Sequence, residues 1–227
     1  MFSEQNTDLM KVEQIVERLA DFRKADKKLF VTSSFQTHSI PLLHIISNID
    51  KSIPVMFINT GYLFPETLQF RDQIISLLGL SVINIKSLVS RNLQRNGDGN
   101  LFFASDPDRC CYLNKTQPME RVLTEYDVWI NGVRADQNTN RQNMSVEQEG
   151  AFNCMRFHPI LDWNSRMIYQ YIKEHGLPRH PLEDKGYMSI GCEPCTRKLD
   201  FSNDRDGRWF GLNKTECGLH TDLVVKQ

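Results

Sequence analysis

Two of the six cysteines, Cys192 and Cys195, are separated by only two residues, Glu193 and Pro194. Proline restricts its own φ and biases the preceding residue toward extended geometry, so a tight turn that points two thiols at one spot is predicted here. By itself this spacing has three interpretations. It is half of a metal site, a redox dithiol, or a pair of ordinary cysteines in a loop.

A second pair, Cys110-Cys111, lies roughly eighty residues upstream. Two pairs supply four thiolates, which suit a structural zinc ion or an iron–sulfur cluster. Adjacent ligands fit poorly on one ion, whereas a cluster with several irons can bind one cysteine on each iron. The spacing therefore favours an iron–sulfur cluster over zinc.

Cys217 stands near the end of the chain in a polar stretch, without another cysteine at metal-site spacing. An accessible thiol near Arg or Lys has a lowered pKa and acts as a nucleophile. The alternative is a thiol without a function in a frayed tail. A general-base role for the nearby His220 is not favoured, and Cys154, beside Phe152 and Met155, is predicted to be packed in the core.

The composition predicts an ordinary soluble globular protein. The chain has 227 residues, 40% hydrophobic and 24% charged, which allows one large α/β domain or two small ones. A net charge of −1 gives no reason to expect a nucleic-acid or membrane partner. The N-terminus lacks the pattern of a signal peptide and no apolar run reaches membrane-spanning length. We therefore expect a cytoplasmic protein whose cysteines bind metal or react rather than form disulfides.

Strands and helices alternate along the chain, which predicts βαβ units and a parallel sheet. The predicted strands are 28–32, 55–58, 81–85 and 127–133. The predicted helices cover 9–22, 40–49, a segment opened by Pro65, 115–126, and a segment from about Asn164. A polar loop is predicted over 90–107, and the stretch from 142 to 153 is expected to be a flexible insertion.

Ligands of such sheets bind beyond the carboxyl ends of the strands. The loops 33–39 and 59–63 both lie there. The turn of Ser33, Ser34 and Phe35 could hold an anion through its N–H groups and hydroxyls, or it could simply cap the next helix. The Gly-rich pattern of a Walker A loop is absent from the sequence.

Basic residues near these positions have two interpretations each. Arg134 and Arg141 flank the loop after strand 127–133, which suits a phosphate or sulfate or is a solvated charged loop. The same alternatives hold for Arg205 and Arg208, which stand near Trp209. Lys115 follows Cys111 by about one helical turn, so its ammonium is expected near the cysteine pair or at the surface.

The cysteine motifs as a set resemble those of the assimilatory sulfonucleotide reductases, specifically the adenylyl-sulfate (APS) reductase branch. The motifs are Cys110-Cys111, Gly191-Cys-Glu-Pro-Cys195 and Glu216-Cys-Gly-Leu-His220. The resemblance extends over nearly the whole chain, through Ser33-Ser-Phe35, Thr60–Thr67, Gly132-Val-Arg134, Asp136-Gln137, Arg141, Pro159, Asp162-Trp163 and Gly207-Arg-Trp209. Family members that use phosphoadenylyl sulfate (PAPS) without a cluster lack both cysteine pairs.

The resemblance implies a doubly wound, mostly parallel α/β fold of the adenine-nucleotide hydrolase type. Residues 1–198 would form the sulfonucleotide-binding domain with the iron–sulfur site, and residues 199–227 a mobile tail. One [4Fe–4S] cluster would be held by Cys110, Cys111, Cys192 and Cys195. The residues implied to bind substrate are Ser33, Ser34, Phe35, Thr60, Gly61, Lys115, Gly132, Arg134, Arg141, Arg205, Arg208 and Trp209.

The implied reaction is attack of the Cys217 thiolate on the sulfate sulfur of APS, which expels AMP and leaves an S-sulfocysteine. Thioredoxin would then release sulfite, and a homo-oligomer is usual among such proteins. Three positions depart from the family pattern: Asn59, where many relatives have Asp, and Asn114 and Ala135, where they have basic residues. The choice between APS and PAPS as substrate therefore stays open. A further alternative is a zinc protein with four cysteine ligands that binds nucleotides without turnover.

Overall fold

The computed structural model describes residues 11–198, 207–209 and 216–223. In this part of the chain six strands form one sheet in the order β3-β2-β1-β4-β6-β5. The strands are β1 Leu29–Thr32, β2 Val55–Ile58, β3 Val82–Ile85, β4 Val128–Asn131, β5 Glu147–Gln148 and β6 Met155–Phe157. Neighbouring strands are parallel from β3 to β6, and β5 pairs antiparallel with β6. The predicted mostly parallel α/β sheet is confirmed.

The helices alternate with these strands. They are α1 Val12–Lys24, α2 Ile40–Ile49, α3 Pro65–Leu78, α4 Phe102–Ser105, α5 Pro107–Cys111, α6 Gln117–Leu123, α7 Thr139–Gln142 and α8 Ser165–Glu174. Local signals explain several ends: Pro65 opens α3, Gly79 ends it with φ 65°, and the Asn164 side chain caps α8 by accepting from Met167 N at 3.0 Å. Among the described residues, no helix is long and apolar enough to cross a membrane.

Apolar side chains cover both faces of the sheet. One face packs against residues of α1, α2, α3 and α8, with Phe22 edge-on to Phe157 at 5.5 Å between ring centroids. The other face, around Phe30 and Trp129, packs against α6 and Leu223. Cys154 is fully buried in this second cluster, as predicted. A sheet covered on both sides leaves only its edges and strand ends for a ligand.

The strand order reverses between β1 and β4. From β1 the chain proceeds outward to β2 and β3, whereas β4 and β6 lie on the other side of β1. Loops that leave β1 and β4 therefore diverge and open a crevice at the carboxyl ends of the strands.

Two stretches that the sequence predicts to be irregular contain short elements. Helix α4 lies within 90–107, and β5 lies within 142–153. The β5 residue Glu147 accepts two hydrogen bonds from Arg18 of α1, at 2.5 and 2.7 Å. Such elements depend on contacts with distant residues rather than on a local hydrophobic period, so sequence periodicity does not reveal them.

A buried histidine holds the segment that precedes the Cys192 turn. His180 is fully buried, its Nδ1 accepts from Leu182 N at 3.2 Å, and its Nε2 lies 3.0 Å from Thr67 Oγ1. Burial lowers the pKa of His180 to about 4. Because this folded-state pKa lies below the usual value of about 6.5, the stability contributed by neutral His180 is present above about pH 6.5 and is lost as the pH falls toward 4.

We expect the His180→Gln variant, whose amide can still bond Thr67 but cannot titrate, to lose less stability on acidification than the wild type. As the pH falls, the free energy of unfolding of the wild type should decrease more steeply than that of His180→Gln, by up to about 1.4 kcal/mol per pH unit. Urea unfolding between about pH 6.5 and 5 measures this difference. The His175→Gln variant, at an exposed histidine, is the control. Equal slopes of unfolding free energy against pH for the wild type and His180→Gln would show that His180 does not contribute this stability.

Candidate functional site

A cavity of about 1040 Å³ opens at the carboxyl ends of β1, β2 and β4. Its volume is at the upper end of the range of roughly 300–1,000 Å³ for small-molecule sites. The walls come from the loops after these strands, from the turn that contains Lys115, and from the described tail residues. The sheet thus presents one large site at the reversal of strand order.

Most of the residues predicted to bind substrate line this cavity together with Cys217. They are Ser33, Ser34, Thr60, Lys115, Gly132, Arg134, Arg141, Arg208 and Trp209. Phe35 and Gly61 do not line it. The Phe35 side chain is fully buried against Phe57, with 5.4 Å between ring centroids, and Gly61 lies in the exposed part of its loop with φ 75°. Arg205 lies outside the described residues.

The serine turn after β1 is held by its own side chain. Ser33 Oγ accepts from Phe35 N at 3.0 Å, and Phe35 has φ 54°. The next α-helix, α2, follows Ser39 without a side-chain cap from either serine of the turn. Neither serine therefore caps α2, and both line the cavity instead.

Arg134 lines the cavity, and its guanidinium is held by neighbouring side chains. Its Nε and Nη2 bond the Asp136 carboxylate at 3.0 and 3.3 Å, and Nη2 also donates to Ser165 Oγ at 3.0 Å. Nη1 is buried and has no hydrogen-bond partner among the described residues. A fixed guanidinium with a spare donor is suited to an anionic ligand.

The Cys192–Cys195 turn is docked on the loop that leaves β2. Cys192 forms a β-bridge with Leu63, Glu193 N donates to Tyr62 O at 2.7 Å, and Cys192 Sγ lies 3.2 Å from Thr60 Oγ1. These contacts join segments more than a hundred residues apart in the sequence. They place the cysteine turn beside the large cavity.

Residues 207–209 lie against the same turn. Arg208 forms a β-bridge with Thr196, and Trp209 N donates to Cys195 O at 3.0 Å. Gly191 permits this approach, because a Cβ there would lie 2.2 Å from Arg208 Nη2. The turn therefore positions both Arg208 and Trp209 at the cavity wall.

The four cysteines of the two pairs line one small cavity that adjoins the large one. They are Cys110 and Cys111 at the end of α5 and Cys192 and Cys195 of the turn, and none forms a disulfide. Burial and the negative charge of Cys111 and Cys192 raise the pKa of Cys110 to about 12. Thr60, Lys115 and Cys192 line both cavities, so they form the wall between them.

Four cysteine sulfurs around one cavity are a donor set that a structural zinc ion and an iron–sulfur cluster both use. Among the described residues, no group of three or more His, Cys, Asp or Glu side chains could hold a metal ion. A single zinc ion requires its sulfur ligands within about 2.3 Å of one centre. An iron–sulfur cluster binds each cysteine through a different iron, so it needs thiols spread around a shared cavity.

Lys115 lies between the four-cysteine cavity and Cys217. It belongs to a π-helical turn, Tyr112–Thr116, and such turns are frequent at functional sites. Burial alone would lower the pKa of Lys115, but negative charge on Cys217, Cys192 and Cys111 outweighs burial and raises it. Its side chain thus lies between the cysteine sulfurs of the small cavity and that of Cys217.

The segment that carries Cys217 packs closely on this turn. A Cβ at Gly218 would lie 2.8 Å from Thr116 Oγ1 and 2.4 Å from Asp222 Oδ2, so only glycine fits without rearrangement. His220 stacks on Trp129 with 6.1 Å between ring centroids, and its Nδ1 bonds Arg156 Nη2 at 2.7 Å. Burial and the charges of nearby arginines lower the pKa of His220 well below its usual value. It therefore anchors the segment as a neutral ring.

Asn131 and Glu216 also line the cavity, and neither was given a site role from the sequence. Asn131, at the end of β4, is only 2% exposed, and neither atom of its amide has a partner among the described residues. Glu216 is likewise part of the cavity wall. Asn131 directly precedes Gly132 at a predicted strand end, so its position was a usable signal. Glu216 was named only as the first residue of the terminal cysteine motif, without a role of its own.

Comparison with known proteins finds one matching family and several similar sequences. Residues 28–198 match the family model of the phosphoadenosine phosphosulfate reductase domain. The adenosine 5'-phosphosulfate reductase of Rhodococcus erythropolis strain PR4 is 37% identical over 86% of this chain and 79% of its own length. The protein of the same name from Chelativorans sp. strain BNC1 is 38% identical over 92% of this chain and 85% of its own length.

Solved structures agree on the fold. The phosphoadenylyl-sulfate reductase of Candida auris, in a phosphate complex, has a TM-score of 0.62 and 21% identity, and covers 85% of this chain and 97% of its own. The FMN adenylyltransferase of Candida glabrata has a TM-score of 0.57 and 13% identity, and covers 95% of this chain and 79% of its own.

The fold and the cavity define a doubly wound α/β protein with a ligand site at its topological switch point. The chain belongs to the phosphoadenosine phosphosulfate reductase domain family. The family predicted from the cysteine motifs is thereby confirmed.

Proposed function

We propose that the protein is an APS reductase, which converts APS to sulfite and AMP through Cys217 with electrons from thioredoxin. The observation that carries the proposal is the meeting of Cys217, Lys115 and Arg134 in one cavity at the strand ends, next to the four-cysteine cavity. The names of the Rhodococcus and Chelativorans relatives support APS as substrate.

The first step transfers the sulfonate group to the enzyme. The Cys217 thiolate attacks the sulfate sulfur, a sulfur–sulfur bond forms, and the bond from that sulfur to the bridging oxygen breaks. The electron pair of the broken bond leaves on the phosphate of AMP. Lys115, Arg134 and Arg208 line the cavity and would stabilise the charge that builds on this phosphate.

The second step regenerates the thiol. A thiolate of thioredoxin attacks Cys217 Sγ and releases sulfite, and the second thioredoxin thiol resolves the mixed disulfide. The two electrons thus come from the dithiol, which becomes a disulfide. Cys217 is half-buried beside the cavity, so its segment must move outward to meet a protein thiol.

Cys110, Cys111, Cys192 and Cys195 would hold a [4Fe–4S] cluster. When bound, the cluster would tune the electrostatics of the site and tie the chain segments together rather than carry the electrons. Lys115 lines both cavities, so its ammonium would place a positive charge between the cluster and the substrate. We also propose a cytoplasmic homo-oligomer.

We expect the Cys217→Ser variant to release no measurable sulfite from APS and thioredoxin, because a hydroxyl at neutral pH is a far weaker nucleophile than a thiolate. AMP affinity should stay within about threefold of the wild type, since the cavity is otherwise intact. Sulfite and AMP are measured over time, with Cys154→Ala as the control cysteine. Sulfite release by Cys217→Ser at a wild-type rate would exclude this mechanism.

The same assay with PAPS decides the substrate. A higher kcat/KM for APS supports the proposal, whereas a strong preference for PAPS would replace APS as the substrate and leave the chemistry unchanged.

Protein purified without oxygen should contain about four irons and four acid-labile sulfides per chain, the content of a [4Fe–4S] site. The Cys195→Ser variant should lose most of this iron, because it removes one of four ligands, whereas Cys154→Ala should keep it. Iron and sulfide analysis with the visible spectrum provides the measurement. Zinc without sulfide, also after reconstitution, would contradict the cluster.

Asn131→Ala is expected to weaken AMP binding by roughly tenfold. The buried amide has both a donor and an acceptor without partners among the described residues, and lost hydrogen bonds of this kind cost about 0.5–1.5 kcal/mol each. Calorimetric titration with AMP measures the change, and the exposed Asn92→Ala serves as its control. An unchanged affinity would show that Asn131 does not contact the nucleotide.

A further inference from the structure

The residue before Cys217 is held by a buried ion pair. The Glu216 side chain is 1% exposed and that of Arg141 is 8% exposed. Arg141 Nε donates to Glu216 Oε2 at 2.6 Å and Nη2 donates to Oε1 at 3.0 Å. This is the bidentate geometry that gives carboxylate–guanidinium pairs their directional strength.

Further contacts fix both partners. Asn138 Nδ2 donates to Glu216 Oε2 at 2.7 Å, and the backbone N–H of Cys217 donates to Oε1 at 2.8 Å. On the other side, Arg141 Nη1 donates to Gln137 Oε1. The carboxylate therefore links the main chain at Cys217 directly to the loop that follows β4.

The carboxylate of the pair also compensates the charge of a second buried arginine, Arg156. Arg156 is fully buried over the Trp129 ring, 4.8 Å from its centroid, and bonds His220 three residues beyond Cys217. Burial and the charge of Arg141 lower the pKa of Arg156 to about 10, whereas the charge of Glu216 raises it. One carboxylate thus faces two buried guanidinium groups, and neutralising it would leave both less compensated.

The geometry points to Glu216 as the positioning residue that holds Cys217 at the cavity, with Arg141 serving this carboxylate rather than the substrate. The inference deepens the proposed function, since it takes Cys217 as the nucleophile. It also assigns Arg141 a role different from the substrate contact expected from the sequence. Breaking this pair is then the step that frees Cys217 for a protein thiol.

Alkylation of Cys217 tests the inference without turnover. The Glu216→Gln variant keeps the size of the side chain and removes its charge, so the segment should open more often. We expect iodoacetamide to modify Cys217 about tenfold faster or more in nucleotide-free Glu216→Gln than in the wild type, because loss of one partner of a buried pair is strongly destabilising. Trypsin releases Cys217 in the single-cysteine peptide 215–226, which identifies the site by mass.

The exposed Glu17→Gln is the matched control and should alkylate like the wild type. Equal rates for Glu216→Gln and the wild type would overturn the inference, whatever the enzyme activity. Failure of the proposed function appears separately, as sulfite release that survives Cys217→Ser.

A double-mutant cycle with Arg141→Gln distinguishes the two roles of the arginine. If Arg141 serves Glu216, both single variants and the double variant should show similarly raised alkylation and lowered kcat, and AMP affinity should stay within about threefold in all of them. If Arg141 instead binds substrate, Arg141→Gln should weaken AMP binding in either background, and the effects of the two changes should add. That second outcome would contradict the inference.

Discussion

The docking of the Cys192–Cys195 turn on the loop after β2 is the contact on which the site depends. Backbone pairing with Leu63 and the 2.7 Å hydrogen bond from Glu193 to Tyr62 fix the turn independently of its side chains. Three parts of the site contact this turn. Thr60 contacts its first thiol, and residues 207–209 pair with its second half. The four-cysteine cavity is partly lined by its two cysteines. Weakening this docking would disturb both cavities together.

The second organising feature is buried charge. Arg134, Arg141 and Arg156 are buried and Lys115 is half-buried, and isolated cations would be costly in such places. Each has an anionic or polar counterpart: thiols for Lys115, Asp136 for Arg134, Glu216 for Arg141, and His220 with the Trp129 ring for Arg156. Because the chain itself compensates part of this positive charge, the site is suited to bind an anionic ligand reversibly.

Much of the fold could be predicted because strands and long helices have local signals. The strands 55–58 and 81–85 and the start of α8 at Asn164 follow from hydrophobic runs and capping residues. Helix α4, strand β5 and the π-helical turn at Lys115 could not be predicted in this way, because contacts with distant segments stabilise them. Phe35 and Gly61 shape their turns away from the cavity rather than line it.

The sequence by itself determined the chemical types: two cysteine pairs, a terminal cysteine, and basic residues after predicted strands. It also determined the α/β class, since alternation of strand and helix is a local property. Only the tertiary structure decided which groups meet. Glu216 reaches Arg141 and the two cysteine pairs share a cavity because the sheet brings distant strand ends to one edge. Proximity across seventy or more residues is a property of topology, which no local pattern encodes.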